Sequence, residues 1–290
     1  MEPTRSYEPT ILANDEHFGD PFFQRFVLRY APKPLKLDDR VCKNYRFPTF
    51  YADVTCSVSI FLCDYKAAAA LMPDLRMRPV RMTRGRSLVA FSSYIYRNVM
   101  GLPPYNEIAM TIPVLVDSLF RPPVLPMVIG MFAGFGFYVF AMPVTSLENK
   151  IRGNKIWGLP KTLSRIDIVE AGDECVTAAY EEGDHGRPYL TFRTPMFGKP
   201  TQFDVRGNLY STLDGRLLRS QMNFCGTFNV TKHMDQLLKK GVTSNRKYLE
   251  IGEGRSAEML RCLGIEACPF QCRFARTMNA CFDLPDPEFK

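Results

Sequence analysis

Gly153-Asn154-Lys155-Ile156-Trp157-Gly158-Leu159-Pro160-Lys161-Thr162-Leu163 is the stretch on which the fold turns. It comes shortly after an uncharged run and leads into a strand-like run, Ser164-Arg165-Ile166-Asp167-Ile168-Val169. A lysine set behind a proline, between apolar stretches, is poorly placed for a solvated charge and well placed for a buried amine. Low-dielectric surroundings disfavour the charged form, so a buried lysine gives up its proton more easily. Only the neutral amine can attack a ketone and form a Schiff base. Lys161 is therefore the first catalytic candidate.

Outward from this segment, alternation with a period of two dominates. Val54, Cys56, Val58, Ile60 and Leu62 alternate with Asp53, Thr55, Ser57, Ser59 and Phe61, which predicts a strand. Asp64 is placed to cap a helix through Ala67–Leu71 that ends at Pro73. Further strands are expected over 87–96, 106–116, 135–141, 163–169, 175–180, 189–194 and 217–228. Short helices are expected over 233–240 and 256–263, the second with Ser256 as cap and Gly264 as stop. Many strands with few helices predict antiparallel sheets folded into a barrel or sandwich. On the 106–116 strand, Glu107 falls in phase with Ala109 and Thr111, opposite Ile108, Met110 and Ile112. Those residues alone leave two readings: a solvent-facing carboxylate, or an acid/base group facing an interior.

Composition narrows the class. The 290 residues are 46% hydrophobic and 23% charged, enough to bury a sizeable core. The formal charge of +7 is scattered. Its densest patch, Arg76, Arg78, Arg81, Arg84 and Arg86, lacks stacking aromatics, so a solvated loop or anion-binding rim is expected and nucleic-acid binding is not. The nine cysteines are an odd count, and Met1-Glu2-Pro3-Thr4-Arg5 opens no apolar signal segment. Free thiols in a cytoplasmic protein fit best. The spacing of Cys262, Cys268, Cys272 and Cys281 matches no standard zinc knuckle. Cys268, Phe270, Cys272 and Phe274 instead form the apolar face of a strand, alternating with Pro269, Gln271 and Arg273. His17, His185 and His233 have no triad or ligand spacing; His185 sits in a turn, Gly183-Asp184-His185-Gly186, and His233 on a helix surface. Pro122–Leu147 carries no charge and is long enough to span a bilayer, but its prolines and glycines break helical periodicity, so no stable span is expected. Near the N-terminus, Asp20-Pro21 followed by Phe22, Phe23, Phe26, Val27 and Tyr30 predicts a short amphipathic helix ended by Pro32 and Pro34.

Two motifs carry a family resemblance. Pro160-Lys161 behind its Gly-containing lead-in, and Tyr105-Asn106-Glu107 followed by Ile112-Pro113-Val114, resemble the acetoacetate decarboxylase superfamily. There a similar lead-in ends in Pro-Lys-Lys, and a Tyr-x-Glu precedes Ile-Pro-Val at the same spacing. The resemblance runs, with gaps, from about Tyr51 to Pro285. It implies a mainly β (α+β) fold: antiparallel sheets forming a closed or partly closed barrel over 46–290, with a few flanking helices and an N-terminal extension over 1–45. It also implies a lyase in which Lys161 forms a Schiff base with a keto acid or ketone and Glu107 is the acid/base, with no cofactor. A homo-oligomer is expected.

Three positions depart from the family pattern, and they are the further candidates for the substrate pocket. Thr162 stands where the family has a second lysine, Val54 where it has a substrate-side arginine, and Ser92 where it has a second glutamate. These departures predict a less polar pocket than that of a true acetoacetate decarboxylase. Two alternatives follow. One is an aldolase-dehydratase or cyclase using the same imine, which assists any step that makes or consumes a carbanion beside a carbonyl. The other is a non-catalytic barrel that binds a small apolar ligand.

Overall fold

A computed structural model describes all residues except Gly130, Met131, Ala133, Asp184, His185 and Lys290, and only the backbone of Val128 and Ile129. The turn expected around His185 therefore lies outside the described residues.

Seven strands close a barrel: β1 (Thr49–Asp64), β2 (Arg86–Val99), β3 (Tyr105–Val116), β4 (Phe135–Val144), β5 (Lys199–Leu213), β6 (Arg216–Lys232) and β7 (Pro269–Pro285). The ring runs β4-β5-β6-β7-β1-β2-β3 and returns to β4. Six seams are antiparallel, as alternation predicts. The seventh, β4 to β5, is parallel, with Leu209 opposite Phe137 and Tyr210 opposite Tyr138. A chain that closes an odd number of strands must have at least one such seam. Sequence reading also missed β5 altogether.

A second antiparallel sheet joins Ile166–Ala171, Glu174–Ala179, Leu190–Pro195 and Leu249–Ile251. It packs on the outside of β1–β3. Phe61, Phe91, Ile108 and Met110 meet Ile166, Leu190 and Phe192 there in one buried cluster. Outward-facing residues of these strands are thus buried as thoroughly as inward-facing ones. All twelve residues of β3 are buried for this reason.

Helices are α1 (Tyr65–Ala70), α2 (Leu125–Ile129), α3 (Leu147–Trp157) and α4 (Arg255–Cys262). The Asp64 side chain accepts from Ala67 N and caps α1 as expected. α4 is capped at Gly254; Ser256 lies inside its first turn and bonds Glu181. The helix expected over 233–240 is only a 3₁₀ turn, Met234–Leu237, and the half-buried ring of His233 packs against Tyr248. The N-terminal amphipathic helix likewise shrinks to a 3₁₀ turn, Phe23–Arg25. Phe18, Phe22, Phe23 and Phe26 converge on Phe50, and the chain turns extended at Phe26 so that Arg29–Tyr30 can pair with Arg46–Phe47.

The uncharged run holds α2 and the barrel strand β4. Among the described residues no helix is long and apolar enough to cross a membrane. The arginine cluster is not simply a solvated loop. Arg86 is 2% exposed, pairs with Glu266 at 3.0 Å and donates to the carbonyl of Gln236. Cys268 and Cys272 are buried, and Cys272 packs against Ser59.

Candidate active site

α3 closes one end of the barrel and organises the site. Ser146 caps it by accepting from Asn149 N, and Gly158 ends it in the left-handed conformation at φ 60°. Its buried face is polar: Glu148, Asn149, Arg152 and Gly153, with Trp157 at the end. Its charged members are only partly satisfied: Glu148 Oε2 and Arg152 Nε and Nη1 are buried without a hydrogen-bond partner. Glu148 accepts from Lys43 Nζ at 2.7 Å and from the Tyr45 hydroxyl. Arg152 donates to Thr49 Oγ1 at 3.0 Å and lies 4.3 Å over the Tyr45 ring.

Beyond Gly158 the chain reverses, and Lys161–Leu163 pairs in parallel with the end of β4, Lys161 opposite Met142. Pro160 gives up no needed donor here, and its carbonyl accepts from Met142 N at 3.2 Å. Asn154 pins the lysine backbone, accepting from Lys161 N at 3.2 Å and donating to its carbonyl at 3.3 Å. The Lys161 side chain then crosses α3 at Gly153. A Cβ at Gly153 would lie 2.3 Å from Lys161 Cδ and 2.6 Å from Cε, so only glycine leaves the passage open.

The amine ends inside the barrel. Lys161 Nζ donates to Glu107 Oε2 at 2.5 Å and to Asn149 Oδ1. Lys161 is 7% exposed and Glu107 5%. Tyr96 donates to the other carboxylate oxygen, Glu107 Oε1, at 3.3 Å. Lys161 and Glu107 are thus brought together, and Glu107 faces the interior. The amine is also 6.0 Å from the centre of the Tyr105 ring.

Burial is the largest influence on the Lys161 amine and lowers its pKa below the ordinary 10.5. The Glu107 carboxylate pulls the other way, through its charge and its hydrogen bond. The Arg152 charge behind the site adds to the lowering. Burial also raises the hydroxyl of Tyr51, to about 12, and those of Tyr94, Tyr96 and Tyr105. These phenols stay neutral at physiological pH.

Lys161, Glu107 and Asn149 line a cavity of about 100 Å³ together with Tyr51, Tyr94 and Tyr96. A more apolar cavity of about 170 Å³ adjoins it, sharing Tyr94, Ala109, Leu209, Met222, Phe224 and Met278. Ser92 lines this second cavity beside Thr111. Val54 is fully buried in the apolar cluster with Tyr51, Cys56 and Tyr96, and neither cavity is lined by it. Thr162 is exposed. In a strand the neighbour of an inward-facing residue must face out, so the position of the family's second lysine does not reach the pocket. The cation near Lys161 is Arg152 instead.

Asn149, Arg152 and Gly153 were not anticipated. Their spacing of three and four residues puts them on one helix face, which is the signal that was available. Among the described residues, no group of three or more histidine, cysteine or acidic side chains is arranged to hold a metal.

Comparison with known proteins bears on this geometry. A family model described as Acetoacetate decarboxylase (ADC) matches residues 32–193, more than half of the chain. No curated protein matches by sequence. Among solved structures, acetoacetate decarboxylase from Legionella pneumophila superposes with a TM-score of 0.56 at 14% identity, covering 94% of this chain and 93% of that one. The enduracididine biosynthesis enzyme MppR, complexed with pyruvate, gives 0.50 at 11% identity, covering 82% and 88%. An acetoacetate decarboxylase-like enzyme from Sphingomonas wittichii gives 0.50 at 11%, covering 93% and 97%. At such identities these likenesses speak to the fold.

Proposed function

Because the chain belongs to the acetoacetate decarboxylase family, we propose that it is a lyase-type enzyme in which Lys161 forms a Schiff base with a keto substrate and Glu107 moves the protons. The observation that carries this reading is the buried Lys161 amine, held against Glu107 at the wall of a small cavity.

The hydrogen bonds suit a neutral amine. An –NH₂ group has two N–H donors and one lone pair. Glu107 and Asn149 accept from the two donors, so the lone pair is left for a carbonyl carbon. Attack gives a carbinolamine once the amine has passed a proton to the new alkoxide, with Glu107 as the relay. Glu107 then takes up a proton from solvent and delivers it to the hydroxyl, which leaves as water and gives the iminium. If the carbon next to the imine bears a carboxylate, the bond to it breaks and its electron pair flows into the iminium. Carbon dioxide leaves, and an enamine remains. Glu107, having taken up a proton from water, gives it to the enamine carbon, and water returns to hydrolyse the imine. Tyr96, bonded to Glu107 Oε1, keeps the carboxylate turned toward the amine. The buried wall keeps bulk water from hydrolysing the imine early.

The same iminium serves aldol-type condensation, dehydration or cyclisation, and the pyruvate complex of MppR is consistent with that range. Reduction with borohydride in the presence of a ketone tests the shared step. A mass increase on Lys161, absent in Lys161→Ala, is expected. Failure to trap any ketone or aldehyde favours a ligand-binding barrel instead. Release of carbon dioxide then separates decarboxylation from the other imine reactions.

A further inference from the structure

A second cation faces the interior, and the mechanism above does not use it. Hydrogen-bonded rows of the barrel locate it. The row through Glu107 passes Tyr94 on β2, Cys56 on β1 and Ala275 on β7. The next row in the same direction passes Ala109, Ser92, Val58 and Arg273. All four residues of that second row line the apolar cavity. Sequence alternation had set Arg273 on the polar side of its strand. That side is the lumen, because the alternating Cys272 faces the second sheet.

Arg273 is half-buried and poorly satisfied for a guanidinium facing an apolar wall. Its Nη2 donates to Gln271 Oε1 at 3.0 Å, and the group lies 4.8 Å over the Phe203 ring. Its Nε is fully buried without a hydrogen-bond partner. Among the described residues no carboxylate pairs with it. Burial works against its charge, which guanidinium nonetheless keeps. A guanidinium in an apolar wall, with donors to spare, is built for a planar anion. Arg273 also borders an outer cleft of about 770 Å³, which shares Met127, Phe137, Phe203 and Val205 with the inner cavity.

We propose that Arg273 anchors the carboxylate of an amphipathic keto acid whose carbonyl reaches Lys161 through the apolar cavity. The assignment of the carbonyl end rests on the Schiff-base reading above. The two ends sit in adjoining cavities: Lys161 lines the smaller one and Arg273 the more apolar one, and neither side chain lines both. The anchored acid group is therefore separate from any carboxylate lost beside the imine, and it remains in the product. The substrate class is a ketone with an apolar chain and a remote carboxylate, not a short β-keto acid.

The test has two arms. In the first, calorimetry measures decanoate and decanol, neither of which can form an imine. Decanoate should bind at least tenfold more tightly than decanol, and Arg273→Gln should remove most of that advantage while decanol is unaffected. Arg273→Lys should restore part of it. Equal binding of acid and alcohol to the wild type, or equal loss of both in Arg273→Gln, overturns the proposal. In the second arm, borohydride trapping on Lys161 compares an oxodecanoate, ketone at the far end, with its methyl ester and with levulinate. The long acid should trap at least tenfold faster than the ester, and Arg273→Gln should slow only the long acid. If levulinate traps on Lys161 but decanoate binding ignores Arg273, the imine reading stands and this proposal falls. If decanoate needs Arg273 and nothing traps, the carboxylate anchor stands and the Schiff-base reading falls.

Discussion

Gly153→Ala separates the reach of Lys161 from the stability of the fold. In isolation the change should help α3, because alanine is about 1 kcal/mol better than glycine inside a helix. The new methyl, however, would sit 2.3 Å from Lys161 Cδ, 2.6 Å from Cε and 3.0 Å from Cγ. Something must move by about 1 Å. The yielding part is the flexible side chain, not the backbone, so the cost of overpacking should stay near the low end of about 1–3 kcal/mol. The two effects roughly cancel in stability. They do not cancel in function, since the displaced arm carries the amine out of register with Glu107 and Asn149. A misplacement of about 1 Å can cost about a hundredfold in rate. The assay pairs a thermal melt with the rate of borohydride trapping. We expect a melting temperature within a few degrees of wild type and trapping slowed about a hundredfold. Wild-type trapping in a well-folded Gly153→Ala protein would refute the claim that Lys161 acts across that gap.

Three further substitutions probe the charges. Arg152→Met removes a cation that disfavours protonated Lys161, so the amine pKa should rise and the acid limb of the trapping profile should move to higher pH. Glu107→Gln removes the group that favours the protonated amine; the acid limb should move to lower pH, while the maximal rate falls about a hundredfold or more with loss of the proton carrier. Thr162→Lys restores the family's second lysine at an exposed position, so the trapping profile should stay at wild type; a shift would place residue 162 near the amine after all.

Much of the barrel was readable because its strands alternate. β1 and β3 follow the period of two; Glu107 shares the lumen face with Ala109 and Thr111, a choice between lumen and solvent that the alternation alone left open. Lys161 was readable because a proline and apolar neighbours argue for burial. α3 was not, and the reason is physical. Helices are usually found by an apolar stripe, but the buried face of α3 is Glu148, Asn149, Arg152 and Gly153, shaped by the site it serves. Arg273 drew no assignment from the sequence for a related reason. A second sheet outside the barrel makes the outward face of β7 apolar and leaves the polar face for the lumen. Thr162 was misplaced by treating neighbours in sequence as neighbours in space, which a strand forbids.

The most direct test of the account is the titration of the Lys161 amine itself, followed by residue-resolved reductive methylation across pH. Burial and Arg152 outweigh Glu107 in setting its protonation, so Lys161 should become reactive below the ordinary 10.5, and Glu107→Gln should lower that threshold further. A Lys161 that labels like the surface lysines, at their pH and unaffected by Glu107, would contradict the neutral buried nucleophile on which the proposed chemistry depends.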